Sequence, residues 1–148
     1  MPTRTSRTDL ALVARLRVGV ARLNRQLREQ GGGLSPTRQS ALVTIEKHGP
    51  LSLGELATIE RVAPATVTKI VTRLADDGLV ARTPDPDDRR TTNVALTELG
   101  VERLAETRTR RNAYLARRLG QPGAPTPEEL RLVVEVLEEL ARTPEEDG

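Results

Sequence analysis

The sequence contains no cysteine, phenylalanine or tryptophan, and it has one tyrosine, Tyr114, and one histidine, His48. The absence of cysteine excludes disulfides, thiolate metal sites and cysteine-based redox switches. A zinc site rich in histidine is not expected either. No apolar run approaches the roughly 18 residues of a membrane span, and the N-terminus has no apolar signal segment. We therefore expect a cytoplasmic protein that contacts no membrane and has a core of Leu, Val, Ile and Ala.

The common catalytic motifs are missing too. The sequence has no glycine-rich phosphate loop and no Gly-x-Ser-x-Gly motif. We expect neither an enzyme nor a bound cofactor or metal.

Charge is distributed unevenly along the 148 residues, whose formal net charge is +2. Residues 1–34 carry seven arginines and two acids, residues 35–96 carry eight charges of each sign, and residues 97–148 carry eight arginines and eleven acids. The neutral middle segment counts against nucleic-acid binding unless its charges are segregated in space. Arginine, which outnumbers lysine 21 to two, suits phosphate binding and minor-groove insertion.

Apolar periodicity predicts an amphipathic helix near each end of the chain. The first runs from Asp9, its expected N-cap, to Gln30, and residues 1–8 before it are expected to form a disordered arm. Its apolar stripe consists of Leu10, Val13, Leu16, Val20, Leu23 and Leu27. The last opens at a capping box, Thr126–Glu129, and its stripe consists of Leu130, Val133, Val134, Leu137 and Leu140. The two stripes exceed what a slender monomer covers, so we expect an obligate homodimer.

A long helix with a polar middle precedes the last one. It is predicted from Thr97, as cap, to about Leu119, and the tail after Arg142 is expected to be frayed. Its expected apolar side consists of Val101, Leu104, Tyr114, Leu115 and Leu119. We expect some arginines in its middle to form ion pairs or to extend their apolar stems along the surface.

The middle of the chain predicts three short helices. Ser35-Pro36 starts the first, whose buried edge is Ala41, Leu42 and Ile45. A capping box from Ser52 to Glu55 starts the second. The third, Ala63–Asp77, turns one set of apolar residues inward: Val67, Ile70, Val71 and Leu74. Its opposite face carries Ala65, Thr66, Thr68, Lys69, Thr72, Arg73 and Asp76.

A short hairpin follows this helix. Its strands are predicted at Leu79–Thr83 and Thr92–Leu96, and its tip is Pro84–Arg90. We expect Asp88 to brace one of the adjacent arginines while the other reaches into a minor groove. The alternative is an acidic hairpin loop in water. An exposed helix beside a basic hairpin indicates a winged helix-turn-helix on DNA, with threonines at base edges and Lys69 and Arg73 at phosphates.

The run LxxLA…VxxxTVTKIVxxLxxxGLVxRxxDPDDRRxxxVxLTxxG, from Leu53 to Gly100, closely resembles the MarR family of bacterial transcriptional regulators. Asp88-Arg89-Arg90, with Leu96-Thr97 and Gly100, is its most specific part, and the resemblance covers roughly residues 9–142. It implies a homodimeric repressor that binds a pseudo-palindromic operator and is released by a small lipophilic or aromatic-acid ligand. The helix start Ala63–Thr66 is less polar than in many members, so we expect specificity to depend on methyl contacts and DNA shape.

The expected fold class is mainly α with a small β-hairpin wing, a winged helix-turn-helix embedded in an α-helical homodimer. Residues 1–34 would form the arm and a dimerisation helix, residues 35–96 the DNA-binding domain, and residues 97–148 further dimerisation helices. The predicted DNA contacts are Ser35, Thr37, Arg38, Pro64, Ala65, Thr66, Thr68, Lys69, Thr72, Arg73, Asp88, Arg89 and Arg90. Arg15, Arg22 and His48 are candidates for an acidic effector. The alternative function is a winged-helix dimer that acts through protein contacts without specific DNA binding.

Overall fold

The computed structural model describes residues 7–142, with side chains from residue 9 onward. The predictions for residues 1–6 and 143–148 lie outside this range. In chain order the elements are α1 (Arg7–Glu29), α2 (Pro36–His48), β1 (Leu51–Ser52), α3 (Leu53–Glu60), α4 (Pro64–Asp76), β2 (Val80–Pro84), β3 (Thr92–Leu96), α5 (Glu98–Leu119) and α6 (Pro127–Ala141). Within the described range, none of the helices has the length and apolar character that crossing a membrane requires.

Most helix starts are where the sequence predicts them. The Ser35 hydroxyl accepts from the Arg38 amide at 3.4 Å, and both capping boxes, at Ser52 and at Thr126, are complete. The first helix is the exception, because α1 already includes residue 7. Asp9 therefore lies in the first turn of α1, where its carboxylate faces the positive end of the helix dipole, and the prediction of Asp9 as the N-cap is wrong.

The sheet has three antiparallel strands in the order β1-β3-β2, one more than predicted. Leu51 pairs with Val94, and Ser52 pairs with Asn93. The β2–β3 hairpin pairs Val80 with Leu96 at its base and ends at Pro84 opposite Thr92. Thus β2 starts one residue later than expected, and Ser52, predicted only as part of a capping box, also forms strand β1 together with Leu51.

The core lies where α2, α3 and α4 meet the sheet and α5. Its fully buried side chains are Leu42, Ile45, Leu56, Val67, Val71, Leu74, Leu79, Val94, Leu104 and Thr107. Ile70 is half-buried rather than buried. Of the predicted apolar side of α5, Leu104 is buried, Tyr114 and Leu115 are half-buried, and Val101 and Leu119 are exposed. The other buried residues of that helix, Gly100 and Thr107, were not predicted. A glycine and a threonine carry no hydrophobic signal, so apolar periodicity missed this face.

Helix α5 approaches β2 closely at Gly100. A Cβ atom at this position would lie 2.1 Å from the Leu79 carbonyl oxygen. That oxygen also accepts from the Thr97 amide at 3.1 Å. The Thr97 hydroxyl donates to the Gly78 carbonyl at 2.6 Å and accepts from the Gly100 amide at 3.1 Å. Thr97 is therefore the cap of α5, as predicted, and it also fixes that helix to the end of α4.

Polar side chains in the middle of α5 hold α1 and α2. The buried Thr107 hydroxyl donates to the Gly31 carbonyl at 3.2 Å, and Arg111 Nε donates to the Leu27 carbonyl at 3.2 Å. Arg108 forms a two-pronged ion pair with Glu46 on α2. This hydrogen bonding lowers the pKa of Glu46 and raises that of Arg108. The expectation that arginines in this helix form ion pairs is confirmed for Arg108.

The described part of the chain divides into two compact units, residues 7–112 and 113–142. In the first unit, α1 exposes its apolar stripe, with Leu10 and Val13 each 58% exposed. In the second unit, α6 has no buried residue, and Leu140 is 65% exposed. The predicted division into arm, DNA-binding and dimerisation segments stays a prediction.

Candidate nucleic-acid interface

The turn between α3 and α4 aims the start of α4 outward. Arg61 ends α3 in the left-handed conformation, with φ 54°, and its amide bonds back to α3 carbonyls. Ala63 occupies the N-cap of α4 without a side-chain hydrogen bond, and Pro64 follows at the first turn. Because no side chain caps α4, its positive end is left to the surroundings, as binding of an anion requires.

The outward face of α4 is the one that the sequence predicts. Each of Ala65, Thr66, Thr68, Lys69, Thr72, Arg73 and Asp76 is exposed, whereas Val67, Val71 and Leu74 are buried. The Thr68 hydroxyl donates to the Pro64 carbonyl at 3.1 Å. Thr68 therefore offers a methyl group and oxygen lone pairs to a partner, which suits thymine methyls and base amino groups.

Of the DNA contacts predicted at the start of α2, one residue is exposed and another already bonds to groups of the protein. Thr37 is exposed, and its hydroxyl lies 3.2 Å from that of Ser35. Arg38 donates to Ser35 Oγ and forms a 3.1 Å ion pair with Asp77 at the end of α4. Arg38 therefore joins the start of α2 to the end of α4 and neutralises an acid there.

The tip of the hairpin is shaped by Asp85. Its carboxylate accepts from the amides of Asp87 and Asp88, at 2.8 and 3.1 Å, and from the Asn93 side chain at 2.9 Å. These hydrogen bonds lower the pKa of Asp85, and the bond from the Asp87 amide has the largest effect. Asp85 thus keeps its charge while holding the turn.

Asp88 does not brace an arginine side chain, so that expectation is wrong. Its carboxylate accepts from the Arg90 amide at 3.0 Å and from the Thr91 hydroxyl at 3.2 Å. Short acidic side chains commonly bond to backbone two residues ahead in turns, and here this geometry wins over ion pairing. The guanidinium groups of Arg89 and Arg90 are exposed and take part in none of the ion pairs among residues 9–142.

One functional candidate, Arg82 on β2, belongs to the run that carries the family resemblance but was not predicted as a site residue. Its Nη2 donates to the Thr72 hydroxyl on α4 at 2.7 Å. Arg82 lies two residues after the buried Val80, and hence on the same face of the strand. An arginine at a strand position that shares its face with a buried residue was the feature of the sequence that could have identified this candidate.

The charges of residues 35–96 are partly segregated in space. Exposed cations follow the outward face of α4 and the hairpin: Lys69, Arg73, Arg82, Arg89 and Arg90. Of the nearby acids, Asp77 is paired with Arg38, and Asp85 and Asp88 bond to the backbone of the hairpin tip, whereas Asp76 and Asp87 are exposed. The neutral total therefore includes five exposed cations on this surface together with the exposed acids Asp76 and Asp87.

Among the residues that the structure describes, the three candidate effector contacts line two different cavities. Arg15 and Arg22 line a shallow cavity of about 370 Å³ formed by α1 alone. His48 lines another, of about 710 Å³, beside Ser52 and Glu55. A third cavity of about 210 Å³ has two further arginines, Arg28 and Arg111, on its wall. No cluster of residues among those described is suited to hold a metal ion.

Known proteins similar to this chain are transcriptional regulators. An uncharacterized HTH-type transcriptional regulator of Mycobacterium bovis is 39% identical over 114 residues, 76% of this chain and 80% of that protein. The HTH-type transcriptional repressor MdtR of Bacillus subtilis is 33% identical over 115 residues, 78% of this chain and 72% of that protein. The MarR family model matches residues 34–92. The chain belongs to the MarR family.

The MarR fold extends well beyond the matched segment. The structure of a MarR family protein from Bacillus stearothermophilus superposes with a TM-score of 0.76 at 29% identity, covering 90% of this chain and 93% of that one. MarR family proteins are DNA-binding transcriptional regulators rather than enzymes, and this chain is a regulator of that type. The winged helix-turn-helix that the sequence predicts is thus confirmed.

Proposed function

We propose that this MarR-family regulator is a homodimeric repressor that binds a pseudo-palindromic operator and is released by a small acidic or lipophilic ligand. The observation that carries the DNA-binding part is the exposed face of α4 lying beside the hairpin, with Lys69, Arg73, Arg89 and Arg90 free of carboxylate partners among the described residues. In this arrangement α4 is the recognition helix and the β2–β3 hairpin is the wing.

The recognition helix would enter the major groove with its uncapped first turn foremost. Ala65, Thr66 and Thr68 are small enough for close approach to base edges, and Thr68 presents its methyl group. Lys69 and Arg73 would bind the flanking phosphates. Arg89 and Arg90 would extend from the wing into the adjacent minor groove, where arginine is favoured.

Dimerisation is supported by apolar surface that each compact unit leaves in water. On α1, Leu10, Leu12, Val13 and Leu16 are between 44% and 58% exposed. On α6 the exposed side chains include Leu132, Val133, Val134, Val136, Leu137 and Leu140. Full burial of such a side chain from water contributes about 1.5–3 kcal/mol, and these side chains are roughly half exposed, so each still gains about half of that. A second copy is therefore the natural cover. A two-fold dimer would place its recognition helices in successive major grooves, about 34–36 Å apart.

Release by a ligand is supported by the cationic cavity where α1, α2 and α5 meet. Arg28 and Arg111 line it with Asn24 and Gln39, which suits a carboxylate with an apolar body. We propose this cavity rather than Arg15, Arg22 and His48 together, because those three are apart in one chain. A ligand there would release the regulator from DNA only if it has a different affinity for the DNA-bound and the DNA-free conformations.

The test is binding to the duplex upstream of the regulator's own gene, measured by fluorescence anisotropy over a series of salt concentrations. A repressor that contacts several phosphates loses affinity log-linearly with salt. Arg90→Ala should weaken binding at modest salt while sedimentation shows an unchanged dimer. Equal affinity of wild type and Arg90→Ala would remove the wing from the interface, and a folded monomer at micromolar concentration would refute the dimer.

The second candidate is a winged-helix dimer that acts through protein contacts. The zero net charge of residues 35–96 favours it. Absence of any salt-sensitive complex with the upstream duplex would support this function over repression.

A further inference from the structure

The contact between Arg82 and Thr72 joins the wing to the recognition helix at its outer surface. Arg82 lies in the middle of β2, paired with Val94. Its side chain extends on the face of the sheet that packs on α4, and its Nη2 reaches the Thr72 hydroxyl at 2.7 Å. Both side chains are nevertheless exposed. The contact therefore sits at the rim of the domain and is not part of its core.

Thr72 occupies a central place on the cationic face of α4. Lys69 lies three residues before Thr72 and four before Arg73, so both are its neighbours on the exposed side of the helix. By accepting from Arg82, the Thr72 hydroxyl adds a third cation to this side. The hydroxyl keeps its own proton, and one of the two lone pairs of its oxygen accepts from the guanidinium.

The charge of Arg82 is not neutralised within the protein. None of the ion pairs among residues 9–142 includes Arg82. A guanidinium has five N–H donors, and the Thr72 contact uses one of them. The remaining donors form a fork with a fixed direction, which is the geometry that binds a phosphate through two hydrogen bonds.

We propose that Arg82 binds a DNA phosphate between the recognition helix and the wing, and that Thr72 positions its guanidinium for this contact. This inference rests on the DNA-binding function proposed above. It changes the expected role of Thr72, which serves as an acceptor for Arg82 and not as a reader of bases. It also gives a residue outside the hairpin tip a direct share in affinity.

The test compares Arg82→Gln, Thr72→Val and the double variant with wild type, by fluorescence anisotropy over a salt series. Two duplexes are used, the upstream region of the gene and an unrelated sequence. Arg131→Gln, which removes the same charge from α6, is the control. Circular dichroism and thermal unfolding verify that each variant is folded.

We expect Arg82→Gln to weaken binding to both duplexes about tenfold, as loss of one hydrogen-bonded charge does. It should also reduce the slope of log affinity against log salt by about 0.9, the value for one phosphate. Thr72→Val should keep most of the slope, because the charge remains, and should add little to Arg82→Gln because both act through one contact.

A slope for Arg82→Gln equal to that of Arg131→Gln would overturn the inference while leaving DNA binding intact. Additive losses in the double variant would separate Thr72 from Arg82 and overturn the positioning role. If wild type itself forms no salt-sensitive complex, the proposed function fails and this inference fails with it, an outcome visible before any variant is made.

Discussion

Replacing Gly100 by alanine tests whether the close approach of α5 to β2 is essential to the fold. The new Cβ would lie 2.1 Å from the Leu79 carbonyl oxygen and 3.1 Å from its carbonyl carbon. Both atoms belong to the backbone, so no side-chain rotation relieves the clash. The first turn of α5 would have to move outward by about 1.4 Å to restore an ordinary contact of roughly 3.5 Å.

The size of the effect follows from what this movement breaks. Overpacking of a close interface costs typically about 1–3 kcal/mol. The bond from the Thr97 amide to the Leu79 carbonyl would be lost or weakened, at about 1 kcal/mol more. Alanine gains up to about 1 kcal/mol over glycine in a helix, less in the first turn. We expect a net loss of about 1.5–3.5 kcal/mol, or a Tm lowered by roughly 5–15 °C.

The matched control is Gly54→Ala in the first turn of α3. A Cβ at Gly54 would meet only the Ser52 hydroxyl, at 3.9 Å, which is an ordinary contact. Thermal unfolding at one fixed protein concentration compares both variants with wild type, so that dimer dissociation contributes equally. We expect Gly54→Ala to be as stable as wild type or slightly more stable. If Gly100→Ala unfolds at the same temperature as Gly54→Ala, the packing argument is wrong.

Three further predictions concern the ion pair, a cap and the recognition helix. Arg108 lowers the pKa of Glu46 from its ordinary value of 4.5, so the pair stabilises the fold above about pH 4.5 and ceases to do so as pH falls through the lowered pKa. Because the pair is partly exposed, Glu46→Gln should lower the free energy of unfolding in urea by under about 1 kcal/mol at pH 7 and should have no effect in acid. Ser52→Ala should cost about 1 kcal/mol in urea unfolding, while Ser40→Ala, within α2, should have little effect; equal losses would count against the capping box. Thr68→Val should change base preference in a selection from random duplexes more than it changes affinity, and a uniform loss across sequences would contradict base readout.

Local signals made the helix-turn-helix predictable from sequence. The spacing of Val67, Val71 and Leu74 fixed which face of α4 is exposed, and this depends on nothing beyond one helix. The capping boxes at Ser52 and Thr126 are local too, since each satisfies amides within one turn. Such features depend only on residues that are close together in the sequence, so they can be predicted from it.

Contacts between distant residues could not be predicted in this way. Strand β1 exists because Leu51 meets Val94, and two residues carry no strand pattern of their own. Arg38 bonds to Asp77, which is 39 positions later in the chain, and Arg82 bonds to Thr72, which is 10 positions earlier. For Asp88, nearness to Arg89 and Arg90 suggested an ion pair, yet the turn directs its carboxylate to an amide. Charge and order along the chain do not specify direction in space.

The hairpin tip is held by hydrogen bonds that begin and end within residues 85–93. Asp85 serves three donors there, Asp88 serves two, and the amide of Asp85 bonds to the Thr91 carbonyl. Such a self-contained cassette can be exchanged between related regulators, or lengthened, without disturbing the scaffold that carries it. Natural divergence and protein engineering therefore have a place to retune minor-groove contacts independently of the rest of the domain.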